Sequence, residues 1–462
     1  MSGPCASAVA RADAQHRWVA QVPDQGRGGQ GGSEQRAEDR SDDAGVGARA
    51  VSGLRNGVLE RFWVIPLLCA AAAAGLGLAM TGLDALLDTS FTLPLLFAGG
   101  PEGARALLSA IITSMISFTG LVFSITIVVM QLTSSQFSPR VLRTFLRDWF
   151  DQFALGVFVA TFVYALVVLR AVRGTADLDP FVPQLATTVA FGFVLASVVV
   201  FLGYIHHIAQ SIRVATIIAR IGDDTRVLLE RHHPADAEPA PVAAPPAGPP
   251  THRVPAARPG VVQRIDYRSL LRLAERHGVT IRLLRAVGEF VPAGAPLLDV
   301  YGEGLPDADG PRRSVPLGNE RSLDEDVGFG LRQLVDVAER ALSPGINDPT
   351  TAVQVLDQLH DLLRRLATRP LPPRQIFTED GRLAVDIPQP GFADHLELAI
   401  DEISRWGADA ERVQRRLRVM LHDVHDVARP EHRPALARAL SRHAPAAGGP
   451  ADPLAPSDVG LR

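Results

Sequence analysis

Residues 106–139 read ALLSAIITSMISFTGLVFSITIVVMQLTSSQFSP, a stretch that contains no aspartate, glutamate, lysine or arginine. A helix needs about 20 apolar residues to cross the hydrocarbon core of a bilayer. A buried helix of a soluble protein rarely runs this far without a charge. The stretch therefore predicts a membrane-spanning helix, which we place at about residues 106–132.

Three further apolar stretches of this kind occur in the first half of the chain, and the mean hydropathy of the whole chain is +0.13. They predict spans at about residues 62–83, 152–171 and 183–209. The first is not read as a signal peptide, because about 60 mostly polar residues precede it. The sequence thus predicts a membrane α-helical protein with four transmembrane helices.

The arginines flanking the four predicted spans are unevenly distributed. Positively charged residues favour the cytoplasmic side of a membrane. Of the arginines close to the span ends, nine lie before the first span, between the second and third, or after the fourth, and three lie in the other two loops, so we expect both termini in the cytoplasm. The nine are Arg49, Arg55, Arg61, Arg140, Arg143, Arg147, Arg213, Arg220 and Arg226, and the three are Arg105, Arg170 and Arg173.

The rest of the chain predicts a cytoplasmic α+β domain at residues 260–443, with a small β-rich subdomain and helical hairpins. A Pro/Ala-rich stretch at 233–259 predicts a semi-extended linker. Residues 1–55 and 444–462 predict disordered tails. The transmembrane domain is expected at 56–232, including an interfacial helix at 138–151 and a helical extension of the fourth span at 210–230.

The extension carries isoleucines at helical spacing, which predict an amphipathic helix. It either packs on its own domain or serves as an oligomer or coupling element. Within the α+β domain, alternating patterns and turn residues predict short strands, and apolar stripes predict helices. The strands are expected at 279–284, 290–291, 297–301, 375–377 and 383–385, and the helices at 331–342, 352–366, 392–406 and 409–427.

Small and hydroxyl-bearing side chains recur along one face of the second predicted span. In a membrane such residues let helices approach closely and form hydrogen bonds between helices. The face is therefore either a helix-packing surface or the lining of a pathway in an oligomer. Its residues are Thr113, Ser117, Gly120, Ser124 and Gln131.

A basic and aromatic segment follows the second span directly. Ser138-Pro139 predicts the start of a helix, and an apolar stripe then runs beside a row of arginines. This pattern is typical of a helix that lies on the anionic inner leaflet. The expected interfacial anchors are Arg140, Arg143, Arg147 and Trp149.

The densest motif of the α+β domain is residues 340–352, RALSPGINDPTTA. Its Pro-Gly pair predicts the end of one helix, and Asp348 followed by proline predicts the cap of the next. The alternative is a ligand or anion site at that helix N-terminus. The site would be formed by Asn347, Asp348, Thr350 and Thr351.

The sequence lacks the residues that several kinds of chemistry require. The chain has no lysine, which excludes a P-loop lysine, a Schiff base and a lipoyl or biotinyl carrier. Two cysteines, Cys5 and Cys69, are too few for a cysteine zinc site, and no nucleophile–base pair is evident, so no metal, cofactor or enzymatic activity is expected. Isolated histidines such as His360 and His395 are expected to lie at the surface or to have hydrogen-bond partners within the fold. A net charge of −4 gives no reason to expect nucleic-acid binding.

Residues 341–352, together with 118–132 and 135–140, resemble the signature of the predicted bacterial membrane proteins grouped as domain of unknown function 2254. The resemblance covers about residues 55–430. It implies a four-span protein of the bacterial cell membrane with a cytoplasmic C-terminal domain, and it implies no reaction or substrate. The linker at 233–259 is longer than the family's usual connection.

Two functions are compatible with this organisation. The first is a homo-oligomeric channel or transport-like protein with a cytoplasmic regulatory domain. The second is a membrane-anchored sensor or scaffold that binds an unknown small ligand or ion without conducting. The lipid bilayer and further copies of the chain are the expected partners.

Overall fold

The computed structural model describes residues 63–86, 97, 99–136, 149–174, 181–211, 213–234, 243–244, 246, 248–304, 309–321 and 326–444. The chain divides into two compact units between Thr216 and Ile217. The predicted tail at 1–55 and nearly all of that at 444–462 lie outside the described residues, as do positions 138–148 of the predicted interfacial helix.

The first unit contains four helices that are long and apolar enough to cross a membrane. The four predicted apolar helices are thereby confirmed. The second begins five residues earlier than predicted, with Pro101 at its first position and Glu102 in its first turn, both of which favour a helix N-terminus. The helices are α1 (Val64–Leu86), α2 (Pro101–Gln136), α3 (Trp149–Ala171) and α4 (Gln184–Ser211).

Helix α3 is the central helix of this unit, since 56% of its most apolar window is buried against 17–22% for the other three. Glycines let α1 approach it closely. A Cβ at Gly77 would lie 2.9 Å from Val167 Cγ1, and one at Gly156 would lie 2.9 Å from Cys69 Sγ. A larger residue at either glycine would therefore push the two helices apart.

Polar contacts join the helices of the first unit. The hydroxyls of Thr161 on α3 and Ser197 on α4 are 2.9 Å apart and buried. The Asp84 carboxylate at the end of α1 accepts hydrogen bonds from the amides of Leu185 and Ala186 at 3.1 and 2.8 Å. An acidic group there satisfies the free N–H groups of α4 and suits its dipole.

A separate helix, α5 (Val214–His232), follows α4 where the sequence predicted a continuous extension. The Arg213 amide bonds to the Gln210 carbonyl three residues back, which tightens the chain where α4 ends. From Ile217 onward α5 belongs to the second unit and packs on it. Its apolar stripe is buried, and Arg226 Nε lies 2.6 Å from Asp361 Oδ2 of that unit.

The second unit contains two small sheets. One has the strand order β1-β5-β3-β8-β7 and the other β4-β2-β6. All pairs are antiparallel except β3 with β8. The strands are β1 (His252–Pro255), β2 (Gly260–Val262), β3 (Thr280–Leu283), β4 (Phe290–Val291), β5 (Pro296–Tyr301), β6 (Leu317–Gly318), β7 (Gln375–Phe377) and β8 (Leu383–Asp386).

The predicted linker at 233–259 needs a correction, because its C-terminal part is strand β1. Residues 252–254 pair in register with β5, and Val254 is buried in the core of the sheet. Further upstream, the Gln375 side chain bonds both the amide and the carbonyl of Ala243, at 2.6 and 3.0 Å. Proline and alanine content concealed this pairing, since the strand depends on a partner more than 40 residues away.

Helices make up the rest of the second unit. In the α8–α9 hairpin α8 packs against α10, and α9 packs against α11. The sequence missed α6, which Asp266 caps at its start and Gly278 ends with a positive φ of 66°. The helices are α6 (Tyr267–His277), α7 (Asp309–Arg313), α8 (Val327–Leu342), α9 (Pro349–Thr368), α10 (Phe392–Trp406), α11 (Glu411–Val427) and α12 (Arg433–Arg442).

The turn between α8 and α9 is built around Asp348. Its carboxylate accepts hydrogen bonds from the amides of Thr350 and Thr351 at 3.0 and 3.1 Å and from the Thr351 hydroxyl at 2.6 Å. The hydroxyl bond is the main reason why the pKa of Asp348 lies below its usual range. Asn347 precedes it at a φ of +49°, a conformation that asparagine tolerates better than most residues.

We expect Asp348→Ala to destabilise the start of α9 by about 1 kcal/mol, because an N-cap side chain satisfies otherwise free amides. Hydrogen exchange at residues 349–352 of the full chain should accelerate about fivefold. The matched control is Asp357→Ala, which removes an exposed aspartate within the same helix and should leave these amides unchanged. Equal exchange rates in the two variants would contradict the cap.

Candidate functional site

The five polar-face residues predicted on α2 all lie on its exposed side. Thr113 and Ser117 donate their hydroxyls to carbonyls four residues back, at 3.0 and 3.1 Å, so these bonds stay within α2. A Cβ at Gly120 would have no heavy atom within 4 Å. Among the described residues, nothing covers this polar face, which comprises Thr113, Ser117, Gly120, Ser124 and Gln131.

The opposite side of α2 packs on the chain's own helices. Its buried residues are apolar, and they join the cores formed with α3 and α4. The Thr126 hydroxyl lies 2.9 Å from the Tyr204 hydroxyl of α4, which also contacts the Val122 carbonyl of α2 at 3.3 Å. The buried apolar residues of α2 are Ala104, Leu108, Ile111, Met115, Val122 and Val129.

Of the predicted interfacial anchors, only Trp149 belongs to the described residues; Arg140, Arg143 and Arg147 do not. Trp149 begins α3 and is 67% exposed. Its ring lies 5.9 Å from that of Phe153 one turn later. An exposed tryptophan at the end of an apolar helix suits the region between lipid tails and water.

The predicted ligand site at residues 347–351 has the geometry of a helix cap. The donors that would hold an anion are the amides of Thr350 and Thr351 and the Thr351 hydroxyl, and all three are directed at Asp348. The Thr350 hydroxyl faces Arg412 Nη1 at 3.5 Å. The structure therefore brings Asn347, Asp348, Thr350 and Thr351 together as a turn whose polar groups satisfy one another.

A buried polar cavity lies elsewhere in the second unit, with a volume of about 80 Å³. Its walls come from the end of α5, the starts of α6 and α8, the loops after β3 and β8, and α10. The polar lining residues are His232, His233, Tyr267, Asp326, Gln389 and His395, and the apolar ones are Ile265, Ala286, Val287, Val327, Pro372, Ile387, Pro388 and Pro390, with Gly328.

Asp326 is the charged residue in the cavity wall, and its charge is compensated. Arg321 donates to Asp326 Oδ2 from Nε and Nη2 at 2.9 and 2.7 Å. The other oxygen caps α8 by accepting the Phe329 amide at 2.9 Å. Burial raises the pKa of Asp326, while Arg321 opposes that rise. The carboxylate therefore serves the fold and is not an unpaired charge facing the cavity.

Two histidines of the cavity are buried and neutral. His395 is 5% exposed and donates its Nδ1–H to the Gly391 carbonyl at 2.9 Å, which leaves Nε2 as the nitrogen with a free lone pair. His233 is 6% exposed, and its Nδ1 has no hydrogen-bond partner. Burial lowers both pKa values, that of His233 to about 3, with His395, His232 and Arg369 adding to the effect.

No pattern in the sequence indicates this cavity. His395 appeared there as an isolated histidine, and His233 stood at the start of the predicted linker. Their rings lie 6.5 Å apart although they are 162 positions apart in the chain. Only the packing of α5 on the domain brings them together. In the described residues, no three histidine, cysteine, aspartate or glutamate side chains stand where they could hold a metal ion.

The two buried histidines predict acid lability of the second unit. An unfolded histidine titrates near 6.5, whereas folded His233 stays neutral down to about pH 3. Between these values the unfolded state binds more protons, so stability falls as the pH falls. We expect His233 to contribute a loss of about 2 kcal/mol between pH 7.5 and 5.

The measurement is the unfolding free energy of the second unit within the full chain at each pH. Asp326 works in the opposite direction, because its raised pKa makes the folded state bind more protons. His233→Leu isolates the histidine: its stability should depend less steeply on pH than that of the unsubstituted protein. His422→Leu, at an exposed histidine, is the matched control and should keep the full slope. A slope unchanged by His233→Leu would show that His233 is not buried as a neutral group.

Comparisons with known proteins cover most of the chain. A family model described as "Predicted membrane protein (DUF2254)" matches residues 60–423. Uncharacterized proteins from Mycobacterium bovis and Mycobacterium tuberculosis are each 36% identical over 356 residues, covering 75% of this chain and 68% of each relative. No solved structure matches. The match spans both the four apolar helices and most of the second unit, and the chain therefore belongs to the DUF2254 family of predicted membrane proteins.

Proposed function

We propose that this protein is a non-enzymatic, homo-oligomeric channel or transport-like protein of the bacterial cell membrane, with both termini in the cytoplasm. The polar face of α2 then lies between subunits and lines a pathway. The second unit is its cytoplasmic regulatory domain. The distribution of the arginines supports this orientation, and the exposure of the polar face supports the oligomer.

The main support for the proposal is that the polar face of α2 lies on the exposed side of the helix. Hydroxyl groups and a glycine lie on the exposed side of α2 beside exposed apolar residues such as Ile116 and Leu121, whereas the buried residues described on α2 are all apolar. In a monomer this side would face lipid, where small polar residues gain little and an amide such as that of Gln131 is costly. Against a second copy of α2, the same residues allow close approach and hydrogen bonds between helices.

Cysteine cross-linking tests the oligomer. In a chain carrying Cys5→Ala and Cys69→Ala, we expect Ser117→Cys to form disulfide-linked dimers under mild oxidation in native membranes. A disulfide requires Cα atoms within about 7 Å, so the bond reports direct contact between copies of the polar face. Val199→Cys is the matched control, since Val199 is exposed on α4. Equal cross-linking at both positions would indicate random collision and contradict the interface.

Conduction is tested on purified protein in planar bilayers under voltage and under membrane tension. We expect discrete currents, and we expect Gly120→Leu to reduce them strongly, because a leucine fills the space that a glycine leaves along the pathway. Val199→Leu changes an exposed residue away from the polar face and should conduct normally. Silence of the unsubstituted protein under both stimuli would contradict a channel while leaving the oligomer open.

A membrane-anchored sensor is the second candidate, and the buried cavity favours it. A cavity lined by neutral histidines can hold a small molecule through hydrogen bonds. In this case the four helices anchor and oligomerise the protein, and the cavity detects the ligand. Ligand binding together with silent bilayers would favour this function over conduction.

A further inference from the structure

We propose that the buried cavity between α5, α8 and α10 binds a small uncharged molecule that carries hydroxyl groups, of about the size of glycerol. The two histidines at its centre, His233 and His395, would hold one hydroxyl oxygen between them. This proposal concerns the second unit alone and does not depend on whether the first unit conducts.

The size of the cavity limits the ligand. Its volume is about 80 Å³, and one water-sized group needs roughly 10–15 Å³ of such space, so it holds roughly five to eight groups. Sites for drug-sized ligands and nucleotides usually measure about 300–1,000 Å³. A molecule of a few non-hydrogen atoms fits within this volume.

The spacing of the histidine rings indicates what lies between them. Their centroids are 6.5 Å apart and the ring planes are nearly perpendicular. A direct hydrogen bond of about 2.9 Å between the rings would place the centroids roughly 5 Å apart. One oxygen bonded to both rings at about 2.8 Å would place them roughly 6–7 Å apart. The observed distance matches an oxygen shared by both rings.

The hydrogen-bonding state of the rings fits a hydroxyl oxygen between them, as it would fit a water molecule. Because His395 uses Nδ1–H on the Gly391 carbonyl, its Nε2 can only accept. His233 Nδ1 is unpartnered and can donate. A hydroxyl group both donates and accepts, so it can donate to His395 Nε2 and accept from His233 Nδ1. A carboxylate or phosphate oxygen without a proton cannot do both.

The charges around the cavity favour a neutral ligand. Asp326 is compensated by Arg321 and by the helix N-terminus that it caps. Arg369 donates to the His233 carbonyl at 3.0 Å, and Arg369 is not part of the cavity wall. Among the described residues, the charged group of the cavity wall is thus compensated. Prolines and aliphatic side chains form the rest of the wall, which suits the carbon skeleton of a small alcohol.

The test is saturation-transfer NMR on the full chain in lipid nanodiscs, with glycerol as the probe and lactate as an anionic probe of similar size. We expect transfer from the protein to glycerol and none to lactate. His395→Asn keeps an N–H for the Gly391 carbonyl but lacks the Nε2 lone pair. It should reduce the glycerol signal at least about fivefold, the effect of about one hydrogen bond.

Two further variants keep the proposal falsifiable if His395→Asn unfolds. Ala286→Leu fills the cavity without replacing either histidine and should also abolish transfer, whereas His422→Leu at an exposed site should leave it intact. Transfer to lactate in place of glycerol would overturn the neutral class. Absence of transfer to glycerol in the folded, unsubstituted protein would overturn the site, as it would mean that the cavity holds water only.

Discussion

A polar group shut away from water has to find a partner within protein, and this constraint shapes both units of the chain. In the first unit, the Asp84 carboxylate accepts the amides at the start of α4, and the hydroxyls of Thr161 and Ser197 meet between α3 and α4. In apolar surroundings, leaving such a group unpaired costs several kcal/mol. These contacts, together with close glycine packing, fix which helices are neighbours.

The same constraint makes the exceptions informative. The polar face of α2 has no cover among the described residues, and the His233 Nδ1 has no partner although the residue is 6% exposed. The hydroxyls of Thr113 and Ser117 on this face are satisfied within α2, and in the proposed oligomer a second copy of the chain would cover the face. The proposed ligand would supply the partner that the His233 Nδ1 lacks. The two exceptions thus lead to two different proposals.

The sequence predicted those features that are encoded locally. Uninterrupted apolar stretches predicted α1 to α4, and the Pro-Gly pair with Asp348 predicted the turn between α8 and α9. It did not predict features that arise from distant contacts. Strand β1 exists because β5 pairs with it, and its few residues carry no period of their own. The cavity needs His233 and His395 together, and each alone resembles an ordinary histidine.

Helix α5 connects these observations, because it begins next to the end of α4 and ends at the cavity with His232 and His233. It is held firmly on the second unit. A Cβ at Gly330 of α8 would overlap Thr225, and a Cβ at Gly222 would overlap the Gln358 side chain of α9. Arg226 further joins Asp361 and Gln358 at 2.6 and 2.5 Å.

A ligand can shift α5 only if its affinity differs between two positions that the helix can adopt. His233 supplies one of the two groups proposed to hold the ligand. The affinity for the ligand would therefore depend on the position of the C-terminal end of α5. Tight packing along the rest of α5 would then make the helix respond as a rigid body, because a movement at one end could not be absorbed by loose contacts in the middle.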